Sequence, residues 1–83
     1  MMRMGTPETL AARQAEARKR AGLTQRALAD LAGVSPAYIG RIEAPLNRIE
    51  NPPERTLQRI ADALGVHLRW LSRGTGPVRR RAA

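Results

Sequence analysis

A helix stop and a helix start stand almost in contact near the middle of this chain, and nothing else in the sequence constrains the fold as strongly. Gly33 is followed by a single residue, Val34, and then by Ser35-Pro36. Glycine accepts the left-handed backbone that closes a helix, while Ser followed by Pro is a cap with a residue pre-set for the first helical position. So short a link predicts a bent two-helix unit rather than an antiparallel hairpin. Thr24 is a further N-cap, so the first of the two helices is expected over residues 25–32, with Leu28, Ala29 and Ala32 inward. The second is expected over residues 36–43, with Val34, Ile39 and Ile42 anchoring it to the core. The two must cross closely, and Ala29 is small enough to sit at the contact. Pro36, Ala37, Tyr38 and Arg41 are left near the exposed face and N-terminus of the second helix, where backbone N–H groups point outward.

Three more helices surround this unit. Thr6-Pro7-Glu8 reads as the start of the first, with helix formers over residues 9–21. Leu10, Ala17 and Ala21 fall on one face; Arg13, Lys19 and Arg20 are expected outside. Pro45, Pro52, Pro53, Asn47 and Asn51 make residues 44–53 the main loop. A fourth helix over residues 54–64 carries Leu57, Ile60, Ala61 and Leu64 at helical spacing, and Gly65 stops it. A short fifth over residues 67–72 carries Leu68, Trp70 and Leu71. Trp70 and Leu71 read as core, with an anchor for a second subunit as the other reading of Trp70. The expected architecture is all-α, a compact five-helix bundle. Residues 1–5 are a flexible N-terminus, 6–74 the folded domain, and 75–83 a basic, disordered tail.

With 83 residues the chain has room for one small domain and a limited core. Its 15 basic residues against 7 acidic ones give a net charge of +8, and a surface so charged attracts polyanions. Every basic residue but Lys19 is Arg, the side chain that forms forked hydrogen bonds to phosphate and guanine. The absence of Cys removes disulfides and zinc-thiolate sites. A lone His67 without clustered carboxylates makes no metal site, and no Cys nucleophile, His-carboxylate constellation or Gly-rich phosphate loop is present. An enzyme and a cofactor are therefore not expected. No apolar run spans a bilayer and the start does not read as a signal peptide, which predicts a cytoplasmic protein.

The ordered set Gly22-Leu23-Thr24-Gln25, Leu28-Ala29, Ala32-Gly33-Val34-Ser35, Tyr38-Ile39, Ile42-Glu43, Asn51-Pro52, Thr56-Leu57, Ile60-Ala61, Ala63-Leu64-Gly65-Val66 and Trp70-Leu71 resembles the lambda-repressor-like, Cro-type (XRE) helix-turn-helix proteins of bacteria and phages. The resemblance extends over residues 10–74. It implies a transcriptional regulator that binds double-stranded DNA, with residues 36–43 as the recognition helix in the major groove. Carried onto matching positions, it implies that Gln25 binds a phosphate and that Arg41 is the best base reader. Arg18 and Glu43 match a pair that links the first and third helices. The candidate DNA-binding set is Gln25, Arg26, Ser35, Pro36, Ala37, Tyr38, Arg41, Arg48 and Arg55. Tyr38 is read either as DNA-facing or as partly buried packing.

Three departures from the pattern stand out. The recognition helix opens on apolar Pro36-Ala37, which shifts readout toward Arg41 and DNA shape. The loop after Glu43 is longer than usual, and Leu46, Arg48 and Ile49 are expected either to follow the phosphate backbone or to pack on a second subunit. His67 replaces the usual Ser or Thr cap. A homodimer on a near-palindromic operator, weak or formed on DNA, is the expected assembly. Arg79-Arg80-Arg81 is either a solubility tail or a source of nonspecific DNA affinity. The alternative function is an antitoxin or adaptor module whose main partner is another protein, such as a toxin.

Overall fold

The computed structural model describes residues 7–46, 49 and 51–80. The expected flexible stretch 1–5, the capping role given to Thr6, and Arg48 and Arg81 lie outside these. The fold is all-α, with five helices in the order α1 (Leu10–Arg20), α2 (Gln25–Ala32), α3 (Pro36–Glu43), α4 (Glu54–Leu64) and α5 (Leu68–Arg73). No described helix is long and apolar enough to cross a membrane.

The caps set the boundaries. Thr24 Oγ1 accepts from the Ala27 N–H at 3.0 Å, and Ser35 Oγ accepts from the Tyr38 N–H at 3.1 Å. Gly33 has φ 74°, and its N–H donates to Ala29 O. Val34 N–H donates to that same oxygen at 3.0 Å, so the two residues of the turn close α2 and aim α3 across it. α1 starts later than expected. Its cap is Thr9, whose Oγ1 accepts from the Ala12 N–H at 3.1 Å, and Pro7 precedes the helix instead of opening it.

The core is assembled from Leu28, Ala29 and Ala32 of α2, Ile39 and Ile42 of α3, and Leu57, Ile60, Ala61 and Leu64 of α4. Ala17, Val66, Trp70 and Leu71 complete it. Trp70 is buried in its own subunit at 3 % exposure, which settles it as core rather than as an exposed subunit anchor. Ala29 is fully buried in the core.

Arg13 departs most sharply from expectation. It is not on the outer face of α1 but 4 % exposed. Its Nε donates to Leu71 O at 2.8 Å, and its two terminal nitrogens donate to Pro7 O at 2.9 Å and Ser72 O at 3.1 Å. Leu71 and Ser72 lie in the last turn of α5, where carbonyls have no intrahelical donor and the dipole favours a cation. Residues 10, 13, 14 and 17 share one helical face, so this guanidinium and the fully buried Gln14 occupy core positions. Desolvation by burial lowers the Arg13 pKa.

The tail also differs from the disordered segment expected beyond residue 74. Val78 O accepts from the His67 N–H, and the Arg80 N–H donates to Gly65 O, both at 3.0 Å. An antiparallel bridge joins Val66 to Arg79, and the Arg80 guanidinium pairs with Asp62. Residues 78–80 thus form a strap over the α4–α5 turn.

Replacing Arg13 with Met keeps an aliphatic stem but strips three carbonyls of their charged donor. The expected loss is about 2–3 kcal/mol of unfolding free energy, read as a lowered urea midpoint at unchanged slope. A loss under about 0.5 kcal/mol would contradict the anchoring role given to this side chain.

Candidate nucleic-acid interface

α3 presents two chemically different faces. Ile39 and Ile42 are fully buried, while Ser35, Pro36, Ala37 and Arg41 are exposed and Tyr38 is half-buried against the core. The packing reading of Tyr38 is met, since it is partly buried against the core. Arg41 stands in solvent on the last turn. Its backbone oxygen accepts from the Ile49 N–H at 3.0 Å, which pulls the long loop back beneath the helix. Ile49 packs partly on the core of its own chain, whereas Leu46 remains 77 % exposed.

The helix ends offer few N–H groups. At α3, Pro36 has none and Tyr38 N–H is held by Ser35 Oγ, which leaves Ala37 N–H without an acceptor among the described residues. At α2 the Thr24 hydroxyl takes the Ala27 N–H, and those of Gln25 and Arg26 remain open among the described residues. These two N–H groups lie at the positive end of the α2 dipole, a place suited to an anion.

The side chain of Gln25 ties the start of α2 to α3. Its Nε2 donates to Glu43 Oε1 at 3.1 Å. A Cβ added at Gly40 would meet Gln25 Oε1 at 3.4 Å, an ordinary contact distance, so the amide lies directly against the middle of α3. Glu43 collects three further bonds. Arg18 reaches it with Nε at 3.0 Å on Oε2 and NH2 at 3.0 Å on Oε1, and Gln14 Nε2 donates to Oε2 at 2.7 Å. The Arg18–Glu43 pair implied by the resemblance is therefore present, with side chains 12 % and 7 % exposed. Burial pushes the Glu43 carboxyl up. The hydrogen bonds from Arg18, Gln14 and Gln25, with the charge of Arg18, outweigh this and hold it below the ordinary glutamate range.

The remaining candidates lie around this frame. Arg26 is exposed in the first turn of α2 and Arg55 in the first turn of α4, and neither makes an ion pair among the described residues. Gln14 was not foreseen. It is an uncharged residue in a run of helix formers, and only its register with Ala17 and Leu10 marks it as inward. Among the described residues no group of His, Asp or Glu is arranged to hold a metal ion.

Residues 15–71 of the chain match a family described as Helix-turn-helix. Among solved structures, the N-terminal DNA binding domain of SinR from Bacillus subtilis is similar at 29% identity and a TM-score of 0.70, over 78% of this chain and 91% of that one. SinR, the master regulator for biofilm formation, in complex with DNA gives 30% identity and a TM-score of 0.70, over 76% and 97% of the two chains. The restriction-modification controller protein C.AhdI from Aeromonas hydrophila gives 32% identity and a TM-score of 0.67, over 75% and 89%.

The lowered pKa of Glu43 fixes the sign of a pH effect. The unfolded chain binds this proton more readily than the folded one, so the stabilisation is complete above the unfolded value of about 4.3 and is lost as pH falls through the lower folded value. Glu43→Gln should flatten that part of the acid limb and cost about 1–3 kcal/mol at pH 7, because Arg18 loses its charge partner. Urea midpoints of the two proteins between pH 3 and 7 test this. Parallel curves would exclude Glu43 as a contributor to the acid limb.

Proposed function

The chain belongs to the helix-turn-helix family, and from that premise we propose that it is a sequence-specific DNA-binding transcriptional regulator whose α3 enters the major groove. The observation that carries this reading is the division of α3: its buried face is fastened to the core and, through Glu43, to α1 and α2, while Pro36, Ala37 and Arg41 are exposed. A helix held on one side and exposed on the other can dock in a groove about as wide as itself. The similarity to SinR in complex with DNA supports DNA as the partner.

Each candidate then has a role. Gln25 and the open N–H groups of Gln25 and Arg26 bind a phosphate beside α2, and Ala37 N–H takes another at the tip of α3. Gln25 keeps its second amide hydrogen for that phosphate while the first stays on Glu43. Arg41 reads guanine through two parallel hydrogen bonds. Pro36 and Ala37 contribute apolar contact, with Ser35 beside them, and Tyr38 touches the backbone or a thymine methyl with its exposed part. Arg48 and Arg55 add phosphate contacts on the loop side.

One short helix reads only a few base pairs. We therefore infer a repressor-like or Cro-like homodimer, formed on a near-palindromic operator with half-sites about one helical turn apart. A cytoplasmic location at the nucleoid follows from this role.

Selection of binding sites from random DNA at fixed salt should yield a two-fold symmetric sequence. Arg41→Ala is expected to cost about 1–3 kcal/mol on that sequence and to relax the preference at one base pair. Gln25→Ala should weaken all sequences alike, since it removes a phosphate contact. Selection that enriches no sequence would overturn the regulator reading. An Arg41→Ala protein with wild-type preference would remove Arg41 as the base reader.

A further inference from the structure

A cavity of about 480 Å³ lies between α1, the end of α4, α5 and the C-terminal strap. Its volume falls within the range of small-molecule sites, about 300–1,000 Å³. Ala17, Leu64, Val66 and Trp70 supply apolar wall, and Val78 of the strap supplies apolar roof. The rim is cationic. Arg20, Arg79 and Arg80 line it, with Glu16 as the one acidic residue there. Two of these guanidiniums are already matched, Arg20 by Glu16 at 3.1 Å and Arg80 by Asp62. No side chain among the described residues pairs with Arg79. Trp70 adds a second unmet donor: its Nε1–H is buried and has no acceptor among the described residues. A buried donor without a partner is costly to the fold.

We propose that this cavity binds a small amphipathic carboxylate, with its apolar body against Trp70, Leu64 and Val78 and its carboxylate held at the rim by Arg79. The complementarity is of two kinds. Apolar wall beneath a rim whose uncompensated charge is one guanidinium fits a molecule with one anionic end and a short hydrocarbon body. It does not fit a cation, or a polyanion that would have to compete with Glu16. None of the residues that line the cavity belongs to the exposed face of α3 or to the start of α2, so the site stands whether or not the DNA-binding reading holds.

Trp70 is the only tryptophan, so the intact protein gives a single indole N–H signal by NMR. Titration with sodium octanoate should move that signal saturably, with half-saturation below about 1 mM. Octylammonium chloride at equal concentration and ionic strength should leave it in place. Arg79→Ala should weaken octanoate about two- to fivefold, the range of a solvent-exposed ion pair. Ala21→Leu places a larger side chain at an exposed position on the cavity wall and should weaken it further. Both variants alter exposed residues, and their amide spectra report folding in the same experiment. Equal shifts from octylammonium would overturn the proposal, since they would mean apolar adhesion alone. So would a shift that does not saturate, or wild-type affinity in both folded variants.

Discussion

A single carboxylate holds the arrangement of the first three helices. Glu43 ends α3, where the helix dipole disfavours an anion, and it is nearly removed from water. Such a group persists only if its oxygens are satisfied. An ionised carboxylate has about four lone-pair positions, and Glu43 receives a donor for each: Arg18 twice, Gln14 and Gln25. Arg18 and Gln14 come from α1 and Gln25 from α2, so the end of α3 is fixed to two helices at once. Apolar packing of Ile39 and Ile42 sets how deep α3 sits, but burial is non-directional. The hydrogen bonds to Glu43 set its rotation, and rotation decides which residues face outward.

Arg13, next to Gln14 on α1, performs a similar task for α5. This chain has no Phe and a core rich in Ala, so apolar area alone gives α5 little to hold it. The guanidinium closes the last carbonyls of α5 and ties them to Pro7 just ahead of α1. Two polar centres, each bonded to more than one element, thus supplement a small interior. Both use Arg or Gln from α1, which makes that helix the polar spine of the domain.

The parts legible in the sequence are those governed by local chemistry. Thr24 and Ser35 cap, Gly33 and Gly65 take left-handed backbone, and α2, α3 and α4 run between those signals. The exposure of Pro36, Ala37 and Arg41 follows from the same helical period. Long-range polar contacts left no such mark. Arg13 and Gln14 stand at inward positions of α1, yet their polarity argues for the outside, and only partners 58 and 29 residues away resolve the conflict. Thr6-Pro7-Glu8 reads locally as the start of α1, whereas the cap is Thr9 and the Pro7 carbonyl is held by the long-range contact with Arg13. The strap is backbone pairing with the α4–α5 turn, which any residue type can make. The Arg18–Glu43 pair was readable only through resemblance, and the addition of Gln25 to it was not readable at all.

The division of α3 has a consequence for how such a surface can diversify. Ile39 and Ile42 are fully buried in the core, and Glu43 is bonded to α1 and α2. Pro36, Ala37 and Arg41, by contrast, are exposed. The protruding helix is therefore divided into positions that may be rewritten and positions that may not. In the proposed docking mode, new recognition would arise by exchanging the outer three residues one at a time, while the register against the backbone of the target would be inherited unchanged.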